Sequence, residues 1–286
     1  MKGTFSSFDP NSNIFKEIIK QKPLWWTLFC NDKELYIEIR KDNYINVYYY
    51  GGCLAKIEYS TDFKAEIHQK YLGDNTPRGK TKKGHDKFYN DPLDLKTLNE
   101  NKISEIKKLI KKEYLEKIND EKPAEKWMQG KMIKGNPNYI DSEFQFNKDP
   151  EIGFLRIDLV ELKDNKLSFI ELKGISDNRL RNDKIRNPKE PEIIEQMEKY
   201  NLFINKYQDS IIEYYQKLID LKNKLGLSNI IINKITLNNT PKLIIVDTYC
   251  KMTKGREERI KDIETVLKVN EINFEIVKCT SPSTEA

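Results

Sequence analysis

Two acidic residues and a lysine, Asp158, Glu171 and Lys173, lie in neighbouring segments that we predict to be β-strands. Because side chains alternate along a strand, Glu171 and Lys173 share one face of theirs. Asp158 stands between Ile157 and Leu159, where a buried carboxylate is costly unless a cation or a hydrogen-bond donor meets it. A divalent metal held by both carboxylates would supply that cation.

This set of residue types suits the hydrolysis of phosphodiester bonds. Carboxylates bind hard cations such as Mg²⁺ and Mn²⁺ through oxygen, and the carbonyl group of Leu172 is a further candidate ligand. A metal at this position would polarise a phosphate and activate water. Lys173 would orient the water or stabilise the growing negative charge. We therefore expect Asp158, Glu171 and Leu172 to bind the metal, and Lys173 to assist the attack.

The triplet Glu171-Leu172-Lys173 is a weak signal by itself, because the chain has similar acid-x-lysine triplets. Three of them lie in loop or amphipathic-helix surroundings, and one lies at the end of a strand that runs into a turn. These four are Asp94-Leu95-Lys96, Glu105-Ile106-Lys107, Asp220-Leu221-Lys222 and, at the strand end, Glu161-Leu162-Lys163. Only Glu171 and Lys173 close an otherwise apolar strand, and this context favours them.

The elements around these residues follow from hydrophobic periodicity. From about residue 121 we predict a helix, three strands, a long helix, a strand, a helix and a strand. Their approximate bounds are Pro123–Met132, Tyr139–Phe146, Phe154–Leu162, Leu167–Leu172, Pro191–Leu225, Leu243–Val246, Arg256–Lys268 and Phe274–Val277. Asp164-Asn165 predicts a tight turn that pairs the second and third strands as a hairpin. The long helix is expected to break near Asp209-Ser210.

The first part of the chain has a different pattern. We predict antiparallel β-structure over residues 23–60, a polar loop or linker over 73–94, and a helix over 102–118. The whole sequence therefore predicts an α/β fold with a central sheet. We expect two domains, a β-rich region of unknown role at 1–95 and a catalytic domain at 96–286.

The motif around Asp158 and Glu171-Leu172-Lys173 resembles that of the PD-(D/E)xK, or restriction-endonuclease-like, superfamily of phosphodiesterases. The order of elements over about residues 121–250 is also similar to the core of that family, which is helix, three strands, helix, strand. The resemblance implies a metal-dependent nuclease that acts on DNA rather than RNA. One departure is that Ile157, not proline, precedes Asp158.

The helix after the triplet adds to this resemblance. Gln196 and Tyr200 fit the Q-x-x-x-Y motif of the RecB-like branch, and their spacing of four puts them on one helix face. In that branch these residues are implicated in the active site and in contacts to nucleic acid. Many family members have a further acid on the helix before the first strand. Glu125 is our candidate for it, and Glu143 on the first strand is the alternative.

Basic residues cluster in two polar loops. Arg179, Arg181, Lys184 and Arg186 follow the triplet, and Lys82 and Lys83 lie within the 73–94 loop. Beside a phosphodiesterase site such side chains would hold the phosphate backbone. Solvated surface loops are the other interpretation of both clusters.

Composition sets limits on partners and cofactors. The net charge of +5 over 286 residues is compatible with nucleic acid but does not require it. Two histidines and four widely spaced cysteines predict neither a zinc site nor an iron–sulfur cluster. With no apolar segment long enough to span a bilayer and no signal peptide, we expect a cytoplasmic protein without membrane contact. Protein partners are not indicated.

Three hypotheses remain open on the sequence. The leading one is a Mg²⁺- or Mn²⁺-dependent nuclease. The alternative is a catalytically silent module that uses the nuclease fold to bind nucleic acid. The third is a structural or protein-interaction protein in which Glu171 and Lys173 form an ordinary ion pair.

Overall fold

Two β-sheets with helices packed on them form a mixed α/β structure in a computed structural model of the chain. The structure describes residues 8–116, 125–147, 149–181, 191–232, 234–249 and 251–278. No helix within these ranges is long and apolar enough to cross a membrane. The two sheets follow one another along the chain, so each is described in turn.

The first sheet is an antiparallel meander of five strands in the order β1-β2-β3-β4-β5. Two helices precede it and one follows it. The bounds are α1 (Asn13–Gln21), α2 (Leu24–Asn31), β1 (Leu35–Arg40), β2 (Tyr44–Tyr49), β3 (Gly52–Tyr59), β4 (Phe63–His68), β5 (Asn90–Leu93) and α3 (Glu100–Lys111). After α3 the chain continues as a π-helical turn, Lys112–Glu116.

The β-structure predicted over residues 23–60 is confirmed for three strands and wrong at its start. Leu24–Asn31 forms helix α2, in which Trp25, Trp26 and Phe29 are buried. A short apolar run looks the same in a buried helix and a buried strand, so its periodicity could not separate the two. The prediction also missed α1 and β4.

The predicted loop over residues 73–94 is wrong at its end, because Asn90–Leu93 is strand β5 at the edge of the sheet. Pro92 obscures this strand, although an edge strand tolerates proline. Within the loop, the chain doubles back as a narrow arm over residues 78–87. The backbone N–H of Arg78 donates a hydrogen bond to the carbonyl of Lys87 at 2.9 Å, and Lys80 and Asp86 form an isolated antiparallel β-bridge.

The second sheet has the strand order β11-β10-β8-β7-β6, with β9 paired to the start of β8. Strands β6, β7 and β8 are antiparallel, whereas β10 runs parallel to both β8 and β11. The bounds are α4 (Glu125–Gly135), β6 (Tyr139–Phe146), β7 (Leu155–Lys163), β8 (Lys166–Gly174), α5 (Glu192–Lys206), α6 (Gln208–Lys224), β9 (Thr236–Leu237), β10 (Lys242–Asp247), α7 (Lys254–Val269) and β11 (Phe274–Lys278).

This order confirms the elements predicted for the second part of the chain. The expected break in the long helix occurs at Tyr207, between α5 and α6, slightly before the predicted position. Asp164 and Asn165 both have positive φ, 52° and 61°, as a tight hairpin turn requires. The predicted start of the earlier helix, at Pro123, lies outside the described residues.

Helices cover both faces of the second sheet. On one face Trp127 and Met128 of α4 pack against Leu172 and Ile244. On the other face α5 and α7 pack against β10. The first sheet shares a continuous hydrophobic cluster with the second, and α3 packs on β3. The expected division between residues 95 and 96 stays a prediction.

Candidate functional site

The hairpin of β7 and β8 brings Asp158 and Glu171 together. Its register pairs Lys163 with Lys166 and Leu159 with Ile170. Asp158 and Glu171 are the next residues after the last of these pairs, and both carboxylates lie near the ammonium group of Lys173. The hairpin turn is therefore what sets the distance between the two carboxylates.

Asp158 is held in place by hydrogen bonds from two directions. Its Oδ2 accepts the backbone N–H of Leu172 at 2.9 Å, and its own carbonyl accepts Nε2 of Gln129 at 2.6 Å. Gln129 lies on the buried side of α4. Sequence reasoning missed it. The only sequence feature that points to Gln129 is its position directly after the apolar residues Trp127 and Met128 in the same helix.

Lys173 places its ammonium group among the oxygens that were predicted to bind metal. Nζ lies 3.9 Å from Oδ2 of Asp158 and 2.9 Å from the carbonyl oxygen of Leu172, and it forms an ion pair with Oε1 of Glu171. Lys173 and Glu171 are each 1% exposed, and Asp158 is 7% exposed. The three oxygens therefore converge on one positive charge inside the protein.

Helix α5 reaches the same point through the two motif residues. The hydroxyl of Tyr200 contacts Oε2 of Glu171 and the backbone carbonyl of Arg156, and it can donate its single hydrogen to one of them at a time. The Gln196 side chain is hydrogen-bonded to Tyr200. The two residues are thus linked to Glu171 as a short chain of polar groups.

Burial dominates the electrostatics of this site. It raises the pKa of Asp158 and lowers the pKa of Lys173, while the opposite charge of each group partly counteracts the shift of the other. Burial, with the nearby charge of Asp158, also holds the pKa of Tyr200 well above its usual value. Tyr200 therefore keeps its proton and acts as a donor.

Glu125, the candidate third acid, lies at the edge of the site. It is half-buried, and its carboxylate lies 3.6 Å from Nη2 of Arg179. Burial raises the pKa of Glu125, the charge of Lys173 lowers it, and that of Asp158 raises it. Glu125 is thus within electrostatic reach of the centre, although the nearest ion pair it makes is with Arg179.

Glu143, the alternative third acid, lies across from Asp158 on β6. The register of β6 and β7 places it there, with a positive φ of 52°. Its carboxylate pairs with Arg156 at 2.7 Å and with Lys126 at 3.9 Å. Its charge raises the pKa of Asp158. The charges of Glu125 and Glu143 therefore both reach the centre, where that of Glu125 raises the pKa of Lys173 and that of Glu143 raises the pKa of Asp158.

The predicted basic contacts fall in different places. Arg179 is bound to Asp177 at 2.6 Å, and Arg181 is an exposed side chain whose Nη2 lies 3.3 Å from Oδ1 of Asn178. Lys82 and Lys83 are exposed at the tip of the 78–87 arm. Lys184 and Arg186 lie outside the described residues, and so do Cys250 and Cys279.

The donor set at the centre fits a hard divalent cation. Two carboxylates and one backbone carbonyl all offer oxygen, as Mg²⁺ and Mn²⁺ prefer. The position of the Lys173 ammonium shows that these oxygens can reach a single cation. In the described part of the chain, no three histidine, cysteine, aspartate or glutamate side chains are grouped closely enough to hold a metal by themselves.

No protein-family model, curated protein or solved structure matches this chain significantly. Its function must therefore be inferred from the site itself.

Proposed function

We propose that this protein is a Mg²⁺- or Mn²⁺-dependent nuclease of the PD-(D/E)xK type, close to the RecB-like branch. One observation carries the proposal. Asp158, Glu171 and the Leu172 carbonyl converge on the ammonium of Lys173 between two neighbouring strands. The acid-x-lysine lookalike Glu161-Leu162-Lys163 lies on the same hairpin, but its glutamate accepts a hydrogen bond from the side-chain amide of Asn136 at 3.3 Å.

The arrangement of elements supports the same proposal. The order α4, β6, β7, β8, α5 and β10 resembles the helix, three strands, helix, strand of the restriction-endonuclease-like core, with β6 to β8 as an antiparallel meander. Gln196 and Tyr200 of the Q-x-x-x-Y motif make contact with Glu171, directly or through each other. A nucleic-acid substrate, and DNA rather than RNA, follows from the resemblance alone.

In this proposal each residue has a defined task. Asp158, Glu171 and Leu172 would hold the metal, whose positive charge polarises the scissile phosphate. Tyr200 and Gln196 keep the Glu171 carboxylate oriented. The ammonium of Lys173 lies within reach of both carboxylates, so it would donate a hydrogen bond to the attacking water and stabilise negative charge. Because like charges repel, a bound divalent cation and the Lys173 ammonium could not share the position that the ammonium occupies among these oxygens.

The surrounding charges have supporting roles. Glu125 and Glu143 add negative potential at the centre. Arg179 and Arg181 at one edge, and Lys82 and Lys83 on the arm, would contact the substrate phosphates. Such contacts would make binding weaken steeply as salt concentration rises.

The catalytically silent module remains the second candidate, and one observation favours it. The Lys173 ammonium already pairs with both carboxylates, so the buried charges have a partner without any metal. Under this alternative Lys173 would be a fixed structural cation and the protein would bind nucleic acid without cutting it.

A cleavage assay separates these candidates. Linear, circular and single-stranded DNA and RNA are incubated with the protein and Mg²⁺ or Mn²⁺, beside Asp158→Asn and Lys173→Ala. Lys163→Ala, from the lookalike triplet, is the matched control. We expect metal-dependent cleavage that falls by about a hundredfold or more in the two site variants and persists in the control.

The other outcomes are equally informative. Cleavage that is unchanged in both site variants would overturn the proposed site. Salt-sensitive binding without cleavage in the unaltered protein would establish the silent module instead. Neither binding nor cleavage would leave the structural protein as the best interpretation.

A further inference from the structure

A cavity of about 240 Å³ lies between the first sheet, the turn after α3 and the start of α4. It is distinct from the metal-binding centre, because its described lining residues do not include Asp158, Glu171, Lys173 or Tyr200. The side chains that give it its chemical character are Tyr48, Tyr71, Tyr114, Cys53, His68 and Lys126.

Aromatic side chains dominate the walls of this cavity, and its charged lining residues are Lys56, Glu66 and Lys126. The hydroxyls of Tyr71 and Tyr114 lie 3.3 Å apart, and the ring of His68 lies 5.3 Å from that of Tyr71. Burial raises the pKa of Cys53 to about 12 and the pKa of Tyr71 well above its usual value, so both keep their protons. Burial also lowers the pKa of His68, which favours the neutral imidazole.

Such a lining suits a flat, uncharged heteroaromatic ring with polar edges. Unpaired nucleobases have this chemistry, and proteins recognise them by stacking on tyrosine and histidine and by hydrogen bonds to their edges. A bare phosphate or a carboxylate would meet the carboxylate of Glu66 here. The lysine side chains that line the cavity are Lys126 and Lys56, and Lys56 is already salt-bridged to Glu58 at 2.5 Å.

Lys126 connects the cavity to the metal-binding centre. It follows Glu125 in α4, and its Nζ lies 3.9 Å from the carboxylate of Glu143, which is itself placed across from Asp158. A nucleotide bound with its base in the cavity would thus have a cation between the base and the centre. Lys126 would contact the phosphate on that side.

Two glycines fix this relationship between the sheet and the helix. A Cβ on Gly51 would lie 2.3 Å from the carbonyl oxygen of Lys126, and one on Gly130 would lie 2.7 Å from Cα of Tyr50. The turn between β2 and β3 therefore packs directly on the backbone of α4. The distance from the cavity to the centre is set by rigid backbone contact.

We propose that this cavity binds an unpaired nucleobase of the substrate, next to the strand that is cut; this inference rests on the proposed function. The first sheet then has a role as the element that selects substrates with unpaired nucleotides. The segment that carries the basic arm leaves the sheet beside the cavity. His68 at the end of β4 and Asn90 at the start of β5 pair with each other, and both line the cavity. The arm's five basic residues against one acidic residue suit the phosphates that continue from the bound base.

To test whether the cavity binds an unpaired nucleobase, DNA binding and DNA cleavage are measured separately. Fluorescein-labelled duplex DNA with a short unpaired overhang, at either end polarity, is compared with blunt duplex DNA by anisotropy in EDTA. The variants are Tyr114→Ala, Tyr114→Phe and the exposed Lys126→Ala. Tyr59→Ala, a half-buried tyrosine at the far end of β3, is the control. Circular dichroism monitors folding.

We expect tighter binding of an overhang than of the blunt duplex. Tyr114→Ala should reduce that preference by about tenfold, because it removes a stacking surface. Tyr114→Phe and Tyr59→Ala should keep it, and Lys126→Ala should weaken overhang binding while leaving the protein folded.

Equal affinity for blunt and overhang DNA would overturn the inference, and so would a preference that survives both Tyr114→Ala and Lys126→Ala. If Mn²⁺-dependent cleavage of blunt DNA persists in that case, the proposed function stands and the cavity has no part in it. If the preference for overhang DNA depends on Tyr114 but no DNA is cleaved, base binding by the cavity is supported and the nuclease function is rejected.

Discussion

The hydroxyl of Tyr200 on α5 contacts the carboxylate of Glu171 on β8, across 29 residues of sequence. Tyr200 also touches the backbone carbonyl of Arg156 and is hydrogen-bonded to Gln196. A helix on one face of the sheet thereby orients a residue that is a candidate metal ligand. Groups that orient metal ligands in this way affect metal affinity and rate although they do not touch the metal.

Tyr200→Phe should lower the rate of Mn²⁺-dependent DNA cleavage by roughly tenfold to a hundredfold, because Glu171 loses a hydrogen-bond donor. Tyr207→Phe is the matched control, since it removes a hydroxyl that donates to Asp149 at 2.7 Å, away from the centre. Cleavage rates are measured together with urea unfolding. An equal loss of activity in the two variants would contradict the role given to Tyr200.

The contact between the β2–β3 turn and α4 gives a prediction about stability. Gly130→Ala should reduce the free energy of unfolding by about 1–3 kcal/mol, because its Cβ would lie 2.7–2.8 Å from backbone atoms of Tyr50 and Gly51. Gly135→Ala lies in the same helix, where the added Cβ has no atom within 4 Å, so it should not reduce the free energy of unfolding. Urea denaturation measures both. Equal stability of the two variants would contradict the close contact between the β2–β3 turn and α4.

A buried cluster between the two sheets gives a prediction about pH. Asp141 accepts a hydrogen bond from Tyr215 at 3.0 Å and lies 3.7 Å from Arg40. Burial and the charge of Glu38 raise the pKa of Asp141 from 3.8 to about 7. At pH values between 3.8 and about 7, Asp141 is deprotonated in the unfolded chain but keeps its proton in the folded chain. The contribution of Asp141 to stability is therefore present at low pH and is lost as the pH rises to about 7.

Asp141→Asn cannot titrate and should lack this dependence. Urea unfolding at several pH values between 4 and 7 measures the difference in slope between the two proteins, whatever their absolute stabilities. A slope that is the same for the unaltered protein and the variant would mean that Asp141 is ionised throughout this range.

Much of the candidate site could be predicted from the sequence because its residues depend on local patterns. The alternation of apolar residues, the Asp164-Asn165 turn and a single carboxylate inside an apolar strand together predict the hairpin and its face. The spacing of Gln196 and Tyr200 predicts their shared helix face. When α5 packs on the face of the sheet that carries Glu171, Tyr200 comes into contact with that residue.

The remainder depends on contacts between distant segments, which leave no local pattern. Gln129 reads as an ordinary helix residue until α4 is packed on the sheet. Helix α2 was mistaken for a strand because Trp25 and Trp26 suit either structure. The cavity could not be foreseen, since it needs the first sheet and α4 to meet at Gly51 and Gly130.

The most direct test of the central claim compares two glutamates of the same hairpin, Glu171 and Glu161. Each begins an acid-x-lysine triplet, but only Glu171 contacts the ammonium of Lys173. Single-turnover cleavage of DNA in Mn²⁺ is measured for Glu171→Gln and Glu161→Gln. We expect a loss of about a hundredfold or more for Glu171→Gln and an unchanged rate for Glu161→Gln. Equal rates in the two variants would contradict this claim.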